Sequence, residues 1–185
     1  MGFLRFAYFS APAAYSLQKV KTMTCRRKKL LLIFVAAVIS GTLLHFLYDW
    51  VPCTLTALFS PINESLWEHV KIICWPYLLG SFCLAREDSG ALGPRLLTLP
   101  VLCVLMLLLG WIYHITLGLD QLWVDIALYI LLMLAGVLLP EHFRLPKSRF
   151  WQTAPFLIMG ILILATFVFT FHPPELLLFR DLSRP

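Results

Sequence analysis

The sequence has few charged residues. Only 14% of its 185 residues are Asp, Glu, Lys or Arg, whereas about a quarter are charged in a typical soluble domain. Apolar residues make up 60% of the chain, and the mean hydropathy is +0.83. No stretch between the apolar runs is long enough for a soluble core, which excludes a separate catalytic domain. This composition indicates an integral membrane protein.

Familiar catalytic and redox motifs are also missing. The five cysteines include no C-x-x-C pair, and their odd number does not indicate a disulfide framework. The sequence contains no P-loop, no dinucleotide-binding fingerprint and no His-Glu-x-x-His zinc-protease motif. The basic residues are not interleaved with aromatic ones, so we expect no nucleic-acid partner.

Five apolar runs approach the roughly 20 residues with which a helix crosses a bilayer. The connections between the runs are short, which favours antiparallel neighbouring helices. We therefore predict an all-α fold, a polytopic membrane protein with a bundle of five transmembrane helices. The predicted helices cover about residues 30–48, 61–85, 96–117, 122–139 and 151–171. They form a single domain, residues 30–185, after a basic segment, residues 1–29, that we expect to be cytoplasmic and poorly ordered.

The basic residues also predict the orientation of the chain. If the N-terminus is inside, most of the 15 Lys and Arg residues fall on the inner side, as is typical of cytoplasmic loops. The C-terminus is then outside, together with four of the five histidines. The expected partners are the lipid bilayer and, through the basic residues, anionic lipids of the inner leaflet.

The most distinctive polar stretch is "SPINESLWEHVKIICWP", residues 60–76. On a helix that begins at Ser60, the side chains of Glu64, Glu68 and Lys71 share one face. Two like charges four residues apart destabilise a helix unless a proton, a lysine or a cation lies between them. Either Lys71 pairs with Glu68 while Glu64 is solvated, or the two carboxylates face the bundle and share a proton or a metal ion.

A metal site in this stretch needs ligands from other helices. His69 follows Glu68 by about 100° of helix rotation, so the two side chains do not chelate one ion on a regular helix. The predicted metal ligands are His45, Asp49, His69 and His114, and a divalent transition metal such as zinc is the cofactor that they would hold. The predicted catalytic residues are Glu64 and Glu68, and the predicted binding residues are Asn63, Trp67, Lys71 and Tyr48.

The same stretch resembles the signature of a known family. The segment "HFLYDW" at residues 45–50, followed by "FSPINESLWEHVKIICWP" at residues 59–76, is similar to the pattern P-[VI]-N-E-S-x-W-E-H-x-K of small bacterial integral membrane proteins of unknown function. The resemblance covers most of the chain from about residue 26. It implies a multi-pass protein of the bacterial cytoplasmic membrane and supplies no activity.

Three classes of function remain open. The first is a membrane-embedded, metal-assisted hydrolase or transferase that acts at the outer leaflet. The second is a proton- or cation-coupled transport component in which Glu64, Glu68 and Asp125 titrate, although few polar residues continue towards the inner side. The third is a structural or accessory membrane subunit without catalysis, in which residues 63–71 form a hydrogen-bonded cap.

Overall fold

A computed structural model describes the backbone of residues 11–183 and the side chains of residues 23–183 except Ser89. All regular elements in these residues are helical, so the predicted all-α fold is confirmed. The helices are α1 (Ala11–Trp50), α2 (Thr54–Phe59), α3 (Val70–Ala85), α4 (Leu92–Gly110), α5 (Leu122–Leu138) and α6 (Arg149–Phe171). A π-helical stretch, Trp111–Thr116, continues α4, and short 3-10 turns lie at Ser89–Ala91, Leu139–Glu141 and Leu177–Phe179.

Among the described residues, four helical segments are long and apolar enough to cross a membrane. They are Met23–Trp50, Leu92–Thr116, Leu122–Glu141 and Arg149–Phe171. The fifth apolar helix, α3, has only 16 residues. This set of helices is that of a polytopic helical membrane bundle.

The chain divides into two compact units, Met1–Ile33 and Phe34–Pro185. In the second unit, α4 packs against α3, α5 and α6. The core between these helices includes Ile73, Leu99 and Met133, each of which is fully buried. Many large apolar side chains on the opposite faces of α4, α5 and α6 are exposed, as is expected of surfaces that contact lipid.

Gly41 allows α1 to approach its neighbours within the second unit. A Cβ atom at this position would lie 1.9 Å from the hydroxyl oxygen of Tyr129 and 2.6 Å from the carbonyl oxygen of Ile72. The hydroxyl of Tyr129 is also 3.3 Å from the carbonyl oxygens of both Ala37 and Val38. The absence of a side chain at Gly41 therefore lets α1 pack closely against α3 and α5.

Two segments differ from the sequence-based prediction. The helix predicted over residues 61–85 begins at Val70, because side chains in the preceding residues bond the backbone N–H groups that a helix would use. The side chain of Asn63 accepts the N–H of Ser65 at 3.0 Å, and the hydroxyl oxygen of Ser65 accepts the N–H of Glu68 at 3.3 Å. At the N-terminus, α1 begins at Ala11, so residues 11–29 of the predicted basic segment are helical, while residues 1–10 lie outside the described part.

Candidate functional site

Lys71 lies in the first turn of α3 and is completely buried. Its ammonium group donates to Oε2 of Glu68 at 2.6 Å and to the carbonyl oxygens of Ala57 at 2.7 Å and Ser60 at 3.3 Å. A lysine ammonium group has three hydrogens to donate. All three therefore have acceptors, so the buried charge is both neutralised and fully hydrogen-bonded.

Both oxygens of the Glu68 carboxylate also have internal hydrogen-bond partners. Oε2 accepts the N–H of Ile62 in addition to the ammonium group of Lys71, and Oε1 accepts the hydroxyl of Thr170 at 3.2 Å. Thr170 belongs to α6, so the ion pair connects α6, α3 and the residues that precede α3. Glu68 and Lys71, both predicted site residues, thus form a buried structural pair, and we refer to them with these partners as the Lys71 cluster.

A second group of side chains includes residues that neighbour the Lys71 cluster in the sequence. It consists of His45 on α1, Glu64 in the loop and His69 at the start of α3, and we call it the His–Glu–His group. The Nε2 atoms of the two histidines are 3.1 Å apart. Oε2 of Glu64 lies 3.2 Å from Nε2 of His69 and 3.8 Å from Nε2 of His45. Three potential ligand atoms from three parts of the chain therefore face one another.

Both imidazoles face the other members of the group through Nε2. Nδ1 of His69 is 2.8 Å from the carbonyl oxygen of Ser65, which can only accept, so Nδ1 carries the hydrogen. A neutral His69 then directs the lone pair of Nε2 towards Glu64 and His45. Nδ1 of His45 is buried and has no hydrogen-bond partner among the described residues, so His45 also meets its neighbours through Nε2.

The pKa shifts of Glu64 and His69 favour an ionised Glu64 beside a protonated His69. The hydrogen bond from His69 lowers the pKa of Glu64 below its usual range. Burial opposes the charged form of His69, but the hydrogen bonds with Glu64 and Ser65 outweigh it and raise its pKa. Both residues lie outside the membrane-spanning segments. The group therefore favours a positive charge beside the carboxylate of Glu64.

The predicted metal ligand His114 belongs to a different group. It lies in the π-helical stretch, where its Nε2 is 3.0 Å from Oδ1 of Asp125 and its Nδ1 is 4.0 Å from Oδ1 of Asp120. Asp49, predicted as the partner of His45, is exposed near the end of α1 and is not part of either group. The structure therefore brings His45 and His69 together in one group, to which neither His114 nor Asp49 belongs.

The predicted binding residues shape the loop. The side chain of Asn63 closes the turn at Ser65, and the ring of Trp67 packs against Phe169 and Phe179 with centroids 5.3 Å and 5.1 Å away. The backbone N–H of Tyr48 donates to the hydroxyl of Ser60 at 3.0 Å. These contacts fix the path of residues 60–69 and thereby the position of Glu64 and His69.

Sequence reasoning missed two contributors to these sites. Thr170 is one of three threonines in the apolar helix α6, and nothing in the neighbouring sequence indicates that it contacts a glutamate 102 residues away. The carbonyl of Ser65 acts through the backbone, which the sequence does not show unless the local turn is known. The spacing of four residues between Ser65 and His69 was the available signal.

Comparisons with known proteins give one match. No curated protein and no solved structure matches the chain. The profile of a family described as "Family of unknown function (DUF6512)" matches residues 18–184, which include all residues of the sites above. The expectation that the chain belongs to a family of unknown function is thereby confirmed. The chain is a member of the DUF6512 family.

Proposed function

We propose that the protein binds a divalent transition-metal ion through His45, Glu64 and His69 and uses it to activate water, as a membrane-embedded hydrolase or transferase. The observation that carries the proposal is the convergence of the three ligand atoms, at separations of 3.1, 3.2 and 3.8 Å. Metal–ligand distances of about 2.0–2.2 Å in a tetrahedral zinc site require ligand atoms about 3.3 Å apart. The observed separations need only small side-chain movements to accept such an ion.

The composition of the group supports a catalytic role for the ion. Structural zinc sites use four protein ligands, whereas catalytic sites typically use three and leave one position for water. Two histidines and one glutamate are a known catalytic ligand set. An ion bound to them lowers the pKa of its water to about 7 and so supplies a hydroxide nucleophile at neutral pH. This role leaves Glu68 as a structural residue and makes Glu64 a ligand.

The position of the group along the chain suggests where the substrate lies. His45 is near the end of one candidate membrane span, and Glu64 and His69 lie outside the spans. With the N-terminus inside, this end of the bundle faces outward, and we propose a location in the bacterial cytoplasmic membrane. A substrate in the outer leaflet is then within reach, and lipids are the class to test.

The first test is metal content and affinity in purified protein. We expect wild type to bind one zinc ion, and His69→Gln to weaken zinc binding at least about 100-fold, because it removes a ligand, whereas loss of outer partners alone costs 10–100-fold. The matched control is His172→Gln, which removes an exposed histidine outside the group. Equal zinc affinity of the two variants, or no zinc binding by wild type, contradicts the proposal. Turnover of lipid substrates that stops with chelator would identify the reaction.

A second candidate function, an accessory membrane subunit without catalysis, is favoured by the Lys71 cluster. Both carboxylate oxygens of Glu68 and all three ammonium hydrogens of Lys71 have internal partners, as in a structural pair. If the whole stretch has this role, Glu64→Gln lowers thermal stability without changing metal affinity. If the metal proposal holds, Glu64→Gln lowers metal affinity, and zinc raises the melting temperature of wild type much more than that of the variant.

A further inference from the structure

Another group of metal-ligating side chains lies where the π-helical stretch after α4 leads into α5. It consists of His114 in the π-helical stretch, Asp120 in the loop and Asp125 in the first turn of α5, and we call it the His–Asp–Asp group. One potential ligand atom from each residue lies within 4.8 Å of the other two. Single π-helical turns are rare and occur frequently at functional sites. The group shares no residue with the His–Glu–His group and so forms a separate candidate site.

Backbone hydrogen bonds hold the loop that carries Asp120 next to His114. The N–H of Leu119 donates to the carbonyl oxygen of Tyr113 at 3.1 Å. The N–H of Gln121 donates to the hydroxyl oxygen of Tyr113, also at 3.1 Å. Both neighbours of Asp120 in the sequence are therefore bonded to the residue that precedes His114, and the loop is fixed at the position where its carboxylate meets the imidazole.

The separations within the group suit a divalent cation with octahedral coordination. Nε2 of His114 is 3.0 Å from Oδ1 of Asp125, and Nδ1 of His114 is 4.0 Å from Oδ1 of Asp120. An octahedral ion with ligand distances of about 2.0–2.6 Å has ligand atoms about 3–5 Å apart. The side chain of Asp120 is 91% exposed, so it can turn towards an ion without displacing packed atoms, whereas His114, at 14% exposure, is held in place.

We propose that the His–Asp–Asp group is a second metal site, which binds a divalent cation that prefers oxygen ligands, such as Mn²⁺. Its two carboxylates balance the charge of a divalent ion, whereas the His–Glu–His group supplies one carboxylate and two imidazoles. Carboxylate and water oxygens suit Mn²⁺, while imidazole suits zinc. Solvent competes for the exposed Asp120, so this is the weaker site, and the tightly bound zinc ion stays at the His–Glu–His group. The inference goes beyond the proposed function and does not require it.

The test uses Mn²⁺ as the probe and titrates it into the full chain in detergent, with the electron paramagnetic resonance signal of the free ion as the readout. Every protein carries Glu64→Gln, which removes the only carboxylate of the His–Glu–His group and so keeps that group from competing. We expect this parent to bind one Mn²⁺ per chain. Adding Asp120→Asn or His114→Gln should weaken binding at least about tenfold, since loss of an outer partner alone costs 10–100-fold. Glu175→Gln is the matched control, because it removes an exposed carboxylate outside both groups, and it should bind as the parent does.

The outcomes separate this inference from the proposed function. Weaker Mn²⁺ binding after Asp120→Asn, with unchanged binding after Glu175→Gln, supports the second site. Equal affinities of these two variants overturn it and leave His114 and Asp125 as a hydrogen-bonded pair between two helices. No Mn²⁺ binding by the parent overturns it as well, and neither result bears on zinc binding by the His–Glu–His group of wild type. If His114→Gln does not fold, Asp120→Asn decides alone, because that side chain is exposed and packs little.

Discussion

Replacing Lys71 with methionine should destabilise the protein severely. The substitution keeps an unbranched side chain, one heavy atom shorter, but leaves the carboxylate of Glu68, only 3% exposed, without its counter-ion. The carbonyl oxygens of Ala57 and Ser60 lose a donor as well. Removing one partner of a buried ion pair costs about 3–5 kcal/mol. At roughly 2–4 °C per kcal/mol for a protein of this size, the melting temperature should fall by about 6–20 °C.

The assay is thermal unfolding in detergent, with Arg180→Met as the control because Arg180 is exposed and the same charge is removed. The control should stay within about 0.5 kcal/mol of wild type. The double variant Lys71→Met/Glu68→Gln should recover much of the loss, since it no longer buries an unpaired charge. Equal melting temperatures for Lys71→Met and Arg180→Met would refute the argument that this pair stabilises the fold.

Two further perturbations test the same structure. The pKa of His69 is raised above its usual value of 6.5, so its charged form stabilises the metal-free protein at pH values below 6.5, and this contribution is lost as the pH rises through the raised pKa. The pKa of Glu64 is lowered below its usual value of 4.5, so its charged form stabilises the protein at pH values above 4.5, and this contribution is lost as the pH falls through the lowered pKa. Melting temperatures measured across pH should therefore be highest between about 4.5 and 6.5, and the decline on the alkaline side should be weaker in His69→Gln. Gly41→Ala should destabilise by about 1–3 kcal/mol, because its Cβ would overlap Tyr129, whereas Gly160→Ala meets no atom within 4 Å and should be neutral or slightly stabilising. Similar melting temperatures for the two alanine variants would contradict the close packing of α1.

The long apolar runs made the helices predictable, because hydrocarbon requires every backbone group to be bonded within its own segment. The start of α3 was not predictable in this way. Ser60 and Pro61 are typical residues for the start of a helix, and the turn that forms there instead depends on side chains such as that of Asn63. In the structure, the hydroxyl of Ser60 instead donates to the carbonyl oxygen of Leu44 at 2.6 Å. A signal typical of a helix start thus serves a tertiary contact.

The sequence identified most of the polar residues at this end of the bundle but did not assign them to groups. Glu64 and Glu68 are equivalent candidates by composition, yet one faces two imidazoles and the other faces Lys71. What separates them is the path of the loop and the position of α1, which brings His45 to His69 across 24 residues of sequence. Such tertiary pairings have no periodic signal along the chain.

The hydroxyl of Thr170 has a consequence for the biogenesis of the protein. It comes from the last helix of the chain, yet it completes the bonds of Glu68, which lies before α3. During synthesis, α3 with Lys71 is made before α6. The hydrogen bond between Thr170 and Glu68 therefore forms only after α6 has been made. A nascent chain halted before residue 170 should expose this polar cluster with one hydrogen bond missing. Quality-control proteases can recognise such an incompletely bonded state.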